Sequence, residues 1–174
     1  MIPTIHRVWW ALAFSVFALG CGDSGTGSTT GGGGTGGGAP AFTCEGDCSC
    51  DEAASSCVCN GGPCDATCAG ACSLGCPGNA KCELSCGADC AVACPGAEGC
   101  NAHVGPRSTV SCTGNGTCEV WCEGDCAFDC PGNALCLVHC APGAKCELNG
   151  CEQVTTCPKD VLTCRTACPP MTND

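Results

Sequence analysis

Residues 82–99 read CELSCGADCAVACPGAEG, and residues 118–135 read CEVWCEGDCAFDCPGNAL. Each window holds two five-residue segments of the form C-x-φ-x-C, where φ is apolar. Strict alternation of this kind is the signature of a β-strand with one buried face. Gly-Ala-Asp, Glu-Gly-Asp and Pro-Gly-Asn-Ala between the segments are turn chemistry. The recurrent Pro-Gly argues against a helix. In the first segment, strand A, Cys82, Leu84 and Cys86 point one way, and in the second, strand B, so do Cys90, Val92 and Cys94.

Working outward, the same unit recurs along the chain. Cys64, Cys82, Cys100, Cys118 and Cys136 are spaced by 18 residues, and so are Cys76, Cys94, Cys112 and Cys130. A fixed short period marks stacked copies of one supersecondary unit. The middle positions of the paired segments are Ala66/Leu74, Leu84/Val92, Ala102/Val110, Val120/Phe128 and Val138/Leu148, all apolar. The expected fold is all-β: a disulfide-rich, two-sheet β-solenoid, β-roll-like, of about five 18-residue coils over residues 64–151. A meandering antiparallel stack is the competing architecture. Strands of neighbouring coils should lie ~4.8 Å apart. The core is too small and too poor in large apolar side chains to stand alone, which explains the cross-links.

The third copy bears on how the cysteines pair. Val104 and Ser108 stand where cysteines would be, while Cys100 and Cys112 remain. Joint loss points to a bond between positions 5 and 9 of the unit, and hence between positions 1 and 13. The expected turn bridges are Cys68–Cys72, Cys86–Cys90 and Cys122–Cys126. The expected bridges at the other end are Cys64–Cys76, Cys82–Cys94, Cys100–Cys112 and Cys118–Cys130. The fifth copy has a longer turn, Ala141–Lys145, so Cys140–Cys146 and Cys136–Cys151 are expected there. Cys44-Glu-Gly-Asp-Cys48 repeats Cys122-Glu-Gly-Asp-Cys126, which suggests Cys44–Cys48. The partners of Cys50, Cys57, Cys59, Cys157, Cys164 and Cys168 cannot be read. Residues 42–63 form an irregular cysteine-rich head and residues 152–174 a cysteine-containing tail, expected to cap the stack.

Residues 1–20 have the layout of an export signal: His6 and Arg7, an apolar run from Val8 to Leu19, then small residues before Cys21. The run is shorter than the ~20 residues a spanning helix needs. The junction Phe17-Ala18-Leu19-Gly20-Cys21 resembles the bacterial lipobox, in which the cysteine after the cut receives a diacylglycerol and an N-acyl chain. Ala18 stands where that family prefers Leu, and ordinary signal-peptidase cleavage is the alternative. Setting Cys21 aside from the 27 cysteines leaves an even number, able to pair completely. The resemblance implies a lipid anchor on Cys21, and Gly22 in place of the Asp used for inner-membrane retention implies the outer membrane. Residues 21–41 then comprise the lipidated cysteine and a Gly/Ser/Thr tether, too poor in apolar residues to fold. Its mean reach is roughly 25 Å.

After Cys21 the chain holds five Lys/Arg against 17 Asp/Glu. That balance excludes nucleic acid as an expected partner, since phosphate binding needs a basic footprint. Cys48-Ser-Cys50 and Cys57-Val-Cys59 resemble metallothionein elements, so an envelope metal-binding protein, thiolate or calcium, is the alternative function. Export favours disulfides over thiolates. The 18-residue period resembles the calcium-binding β-roll of exported toxins, but only fragments such as Gly87-Ala-Asp89 match its motif. No nucleophile elbow, H-E-x-x-H or phosphate loop is present, so no catalytic residue and no cofactor are expected.

The outward residues of strand A form two columns: Asp65, Glu83, Asn101, Glu119, Leu137, and Thr67, Ser85, His103, Trp121, His139. Strand B presents small residues. Face A, through His103, Trp121 and His139, is therefore the expected contact face for a surface protein or a glycan. His103 and His139, about 10 Å apart by sheet spacing, are too distant to share one metal.

Over most of its length the chain resembles small, repeat-bearing, cysteine-rich bacterial lipoproteins, some of them labelled tryptophan synthase alpha chain. That enzyme is a TIM barrel, which needs upwards of ~200 residues and a βα pattern that this chain lacks. The function expected is that of a non-enzymatic, lipid-anchored, disulfide-stabilised cell-envelope protein acting as a structural or interaction module.

Overall fold

A computed structural model describes residues 41–96 and 98–170. The expected signal peptide, Cys21 and the expected tether up to Pro40 lie outside the described residues. Within them the chain forms strands and no helix. The elements are β1 (Phe42–Asp51), β2 (Ser56–Cys68), β3 (Ser73–Gly75), β4 (Lys81–Cys86), β5 (Ala91–Pro95), β6 (Gly99–Val104), β7 (Ser108–Thr113), β8 (Thr117–Cys122), β9 (Cys126–Asp129), β10 (Leu135–Cys140), β11 (Cys146–Asn149), β12 (Val154–Cys157) and β13 (Val161–Cys164).

Two parallel ladders climb side by side. Strands β2, β4, β6, β8 and β10 are the A segments, and β3, β5, β7, β9 and β11 are the B segments. Cys82 pairs in register with Cys100, and Cys100 with Cys118, so the pairing step is the 18-residue repeat of the sequence. The architecture is the β-solenoid of about five coils, and the antiparallel meander is excluded. Register is pinned because a one-residue slip would turn every cysteine outward.

Both ladders bury positions 1, 3 and 5 into one core. Leu74, Val92, Val110 and Phe128 face inward from the B ladder, and Ala66, Leu84, Ala102, Val120 and Val138 from the A ladder. Among the described residues only Ser108 and Thr163 are buried polar groups, and no buried side-chain nitrogen or oxygen lacks a partner. At the A-to-B turn the coils approach so closely that a Cβ on Gly105 would sit 2.6 Å from the carbonyl carbon of Gly87. At the opposite turn Gly114, with φ of 125°, lies against Gly96 in the same way. Glycine is required at both places because backbone is stacked directly on backbone.

The cysteines divide between the two corners of the coil. At the A-to-B corner the bridges are Cys68–Cys72, Cys86–Cys90, Cys122–Cys126 and Cys140–Cys146. At the B-to-A corner the pairing expected from the sequence is corrected. Cys64–Cys76, Cys82–Cys94, Cys100–Cys112, Cys118–Cys130 and Cys136–Cys151 are not formed. Instead Cys76 bonds Cys82, Cys94 bonds Cys100, Cys112 bonds Cys118 and Cys130 bonds Cys136. Each joins position 13 of one coil to position 1 of the next. The reason is local. The five residues between the two cysteines fold over a tight Gly turn, Pro-Gly in three of the four cases, and hold their Cα atoms 6.2–6.5 Å apart, inside the range a disulfide spans.

The head and tail, expected to be irregular, are strands. Residues Ser56–Val58 of β2 pair in parallel with β3, and residues Cys64–Cys68 of the same strand pair with β4. β2 therefore supplies a B segment below the first coil, and the repeat begins earlier than Cys64. Strand β1 folds back antiparallel along the whole of β2 and covers that end of both ladders. At the far end β13 lies antiparallel on β10, and β12 on β13. The remaining bridges tie these caps: Cys44–Cys48, Cys50–Cys57, Cys59–Cys64, Cys151–Cys164 and Cys157–Cys168.

Candidate functional site: a ring ladder on face A

The parallel register that stacks the cysteines also stacks whatever points outward. Ser85, His103, Trp121 and His139 occupy equivalent positions on β4, β6, β8 and β10. Their rings lie flat on one another. His103 and Trp121 have centroids 4.5 Å apart and planes within 4°. Trp121 and His139 are 5.0 Å apart and within 5°. The spacing follows from the strand separation of ~4.8 Å, which suits face-to-face packing of planar side chains.

The second column runs beside the first. Asn101 Nδ2 donates to Glu83 Oε1 at 2.7 Å. His139 Nε2–H, in that tautomer, donates to Glu119 Oε1 at 2.9 Å, which links the two columns and fixes the last ring. Trp121 and His139 are half-buried, while His103 is exposed. All three residues expected at the contact face thus form one unit.

This geometry changes what the face can bind. Both faces of the Trp121 indole are covered by imidazoles, so a sugar cannot stack on it. The accessible surfaces are the ring edges and the outer face of His103. Edges carry N–H donors and the positive rim of the aromatic quadrupole, and they suit carbonyl or carboxylate acceptors on a partner. His103 and His139 lie two ring spacings apart with the indole between them, so they do not converge on a metal.

The tail adds a wall that the sequence did not reveal. Thr166–Pro170 crosses the end of face A and, with Asn101, Glu119, Leu135 and Leu137, bounds a groove of about 380 Å³. Its position depends on Cys157–Cys168, a pairing with no counterpart in the repeat. Only the Pro-Pro pair at 169–170, which favours an extended chain, hinted at a segment able to lie across a sheet.

The A-to-B corner carries a polar contact of its own. Arg107 Nε donates to Asp89 Oδ1 at 2.7 Å, one coil below. The hydrogen bond from Arg107 and, secondarily, its charge hold the Asp89 carboxyl below the usual carboxylate range. In the third coil Ser108 takes over from a cysteine: it is buried, accepts from Cys90 N at 3.2 Å and lies 3.1 Å from Cys90 Sγ.

Sulfur is the remaining candidate chemistry. Sγ atoms of Cys94, Cys100 and Cys112 lie within 4.8 Å of one another, as do those of Cys59, Cys64 and Cys82, and those of Cys122, Cys126 and Cys146. All of these are bridged, so none is a thiolate ligand in this state. No family model, curated protein or solved structure matches the chain.

Proposed function

We propose that this is a non-enzymatic, lipid-anchored, disulfide-stabilised protein of the bacterial cell envelope, most simply the outer membrane, whose coil stack is a rigid structural or interaction module. The observation that carries the reading is the complete pairing of the described cysteines. From Cys44 to Cys168 every one is bridged, which leaves Cys21 alone outside the bridged body. Bridges in this number are characteristic of an oxidising compartment. The one cysteine left over is the one that the lipobox resemblance assigns to acylation.

On this reading the tether holds the solenoid off the bilayer and face A meets the partner. The His103–Trp121–His139 ladder, with Glu83 and Glu119 beside it, offers a flat, pre-ordered patch. Its rings need no reordering on contact, which lowers the entropic cost of binding. The partner is a protein or glycan with acceptor groups for the ring edges. Nucleic acid is disfavoured by the acidic surface.

Intact-mass analysis of the protein extracted from native membranes tests the reading. The expected result is a chain starting at Cys21, with the mass of three acyl chains and their glycerol, and no titratable thiol before reduction. A chain starting elsewhere, or an unmodified Cys21, overturns the anchor. Many free thiols with stoichiometric zinc or copper would establish the metal-binding alternative, for which the three sulfur clusters would be the sites.

A further inference from the structure

The bridges of the B-to-A corner form one unbroken seam. It runs from Cys59–Cys64 through four equivalent bridges to Cys151–Cys164. The other corner has no such continuity, because Val104 and Ser108 interrupt it. At two places on the seam a sulfur of the adjacent bridge lies close to both sulfurs of a bridge: Cys82 beside Cys59–Cys64, and Cys112 beside Cys94–Cys100. Cys100 is bonded to Cys94, yet its Sγ is also within 4.8 Å of Cys112 Sγ. The in-register pairing of Cys82, Cys100, Cys118 and Cys136 stacks the equivalent bridges one strand spacing apart along the rest of the seam. The seam therefore has two pairing phases. One is the phase seen here. The other joins positions 1 and 13 within each coil and leaves Cys59 and Cys164 unpaired.

Access differs sharply along the seam. Cys59, Cys76, Cys82, Cys94 and Cys100 are at most 2% exposed. Cys151, in the terminal bridge, is only half-buried. An external reductant thus meets the seam at one end. We propose that the seam relays thiol–disulfide exchange: reduction of Cys151–Cys164 by a dithiol or phosphine shifts the bridges coil by coil and carries a free thiol into the buried interior toward Cys59.

The chemistry balances. The reductant gives two electrons: a dithiol closes to a disulfide and passes on its two protons, or a phosphine becomes its oxide with water supplying the oxygen and the two protons, and Cys151 and Cys164 become thiols. The Cys151 thiolate then attacks Cys136 Sγ. The Cys136–Cys151 bond forms, Cys130–Cys136 breaks, and Cys130 leaves as a thiolate. Cys130 attacks Cys118 in turn and releases Cys112, and Cys112 attacks Cys100 and releases Cys94. Each step makes one S–S bond and breaks one, so no further electrons are needed. Only thiolates are nucleophilic, so the relay runs near or above the thiol pKa of ~8.5 and stops in acid. Because the bridges are near-equivalent, the thiol spreads over Cys130, Cys112, Cys94, Cys76 and Cys59 rather than settling at one site. The distance covered is about 24 Å, five strand spacings.

The test is a pH jump on the oxidised, full-length protein. One equivalent of a phosphine reductant is added at about pH 4, the sample is brought to about pH 8, where a sizeable thiolate fraction forms, and exchange is then quenched in acid. Denaturation, alkylation and peptide mapping follow. The expected result is thiol confined to accessible bridges before the jump. After it, thiol rises on Cys94, Cys76 and Cys59, and a Cys100–Cys112 bridge appears. Cys157–Cys168, off the seam, reports local reduction alone. Thiols that stay on Cys151 and Cys164 after the jump, with the interior bridges unchanged, overturn the proposal. The double variant Cys112→Ala/Cys118→Ala removes one link. There thiol should accumulate on Cys130 and be lost from Cys94, Cys76 and Cys59. Thiol still arriving at those three would also overturn the relay. Should the variant not fold, the wild-type jump decides alone.

Discussion

The two corners of each coil are closed by bridges of different kinds. At the A-to-B corner a bridge such as Cys86–Cys90 stays within one coil, and the third coil does without. At the B-to-A corner a bridge such as Cys94–Cys100 ties one coil to the next, and none is missing. A bridge within a coil tightens a turn that backbone bonds already hold. Gly105 N, for instance, donates to Cys86 O at 3.0 Å and Glu123 N to Val104 O at 2.9 Å. Val104 fills the space of one sulfur and Ser108 supplies hydrogen bonds in place of the other. A bridge between coils also holds the stacking of one repeat on its neighbour, which is where a solenoid's cooperativity lies.

Cutting a between-coil bridge should therefore have the larger effect. Cys112→Ala with Cys118→Ala removes the link across the middle of the stack, and a loss of about 2–4 kcal/mol is expected. Urea unfolding should in addition broaden, or split into two transitions, as the halves uncouple. A single sharp transition with unchanged midpoint would show that the two corners are equivalent.

The within-coil counterpart is Cys122→Val with Cys126→Ser, which copies the third coil. Its loss should fall at the lower end of the range for a bridge, about 1–2 kcal/mol, with one cooperative transition and no free thiol. The single change Cys122→Ser should release one thiol, on Cys126, and leave Cys112–Cys118 and Cys130–Cys136 closed. Thiol titration with peptide mapping reads both variants.

The smallest effect concerns the ion pair at the A-to-B corner. The carboxyl of Asp89 is held below its ordinary pKa by Arg107. Its contribution is present above the unfolded-state pKa of ~3.9 and is lost as pH falls through the lower folded value. Both side chains are largely exposed, so the pair contributes little. Asp89→Asn should lower the melting temperature slightly at neutral pH, and the difference from wild type should vanish in strong acid. A difference that persists there would mean that the turn geometry of Asp89, with φ of 61°, matters rather than its charge.

The repeat was legible in the sequence because its period, its alternation and its turns agree. Cys82, Leu84 and Cys86 could be placed inside from pattern alone, and Ser85, His103, Trp121 and His139 outside in one column. The pairing of Cys86 with Cys90 could be read because both cysteines are replaced together in the third copy, by Val104 and Ser108. The same reasoning is blind at the other corner. Cys100 and Cys112 both remain in the third copy, and either phase pairs every interior cysteine. What selects the phase is the partner waiting at each end, and those ends were hidden. Cys59 stands 17 residues before Cys76 and so falls off the 18-residue clock, and Cys164 lies on a strand of reversed direction. The ring ladder was half legible. Sequence placed its members in line, but the enclosure of Trp121 by its neighbours emerges only in the folded stack.

The phase of the B-to-A corner is the claim on which this account stands. It can be read from one peptide. Cleavage after Glu98 and after Arg107 releases residues 99–107, GCNAHVGPR, whose sole cysteine is Cys100. With thiols blocked and digestion kept below neutral pH, non-reducing mass spectrometry then identifies its partner. This peptide is expected to be joined to the segment carrying Cys94. Finding it joined to the segment carrying Cys112 would contradict the between-coil seam, and with it both the contrast between the corners and the relay.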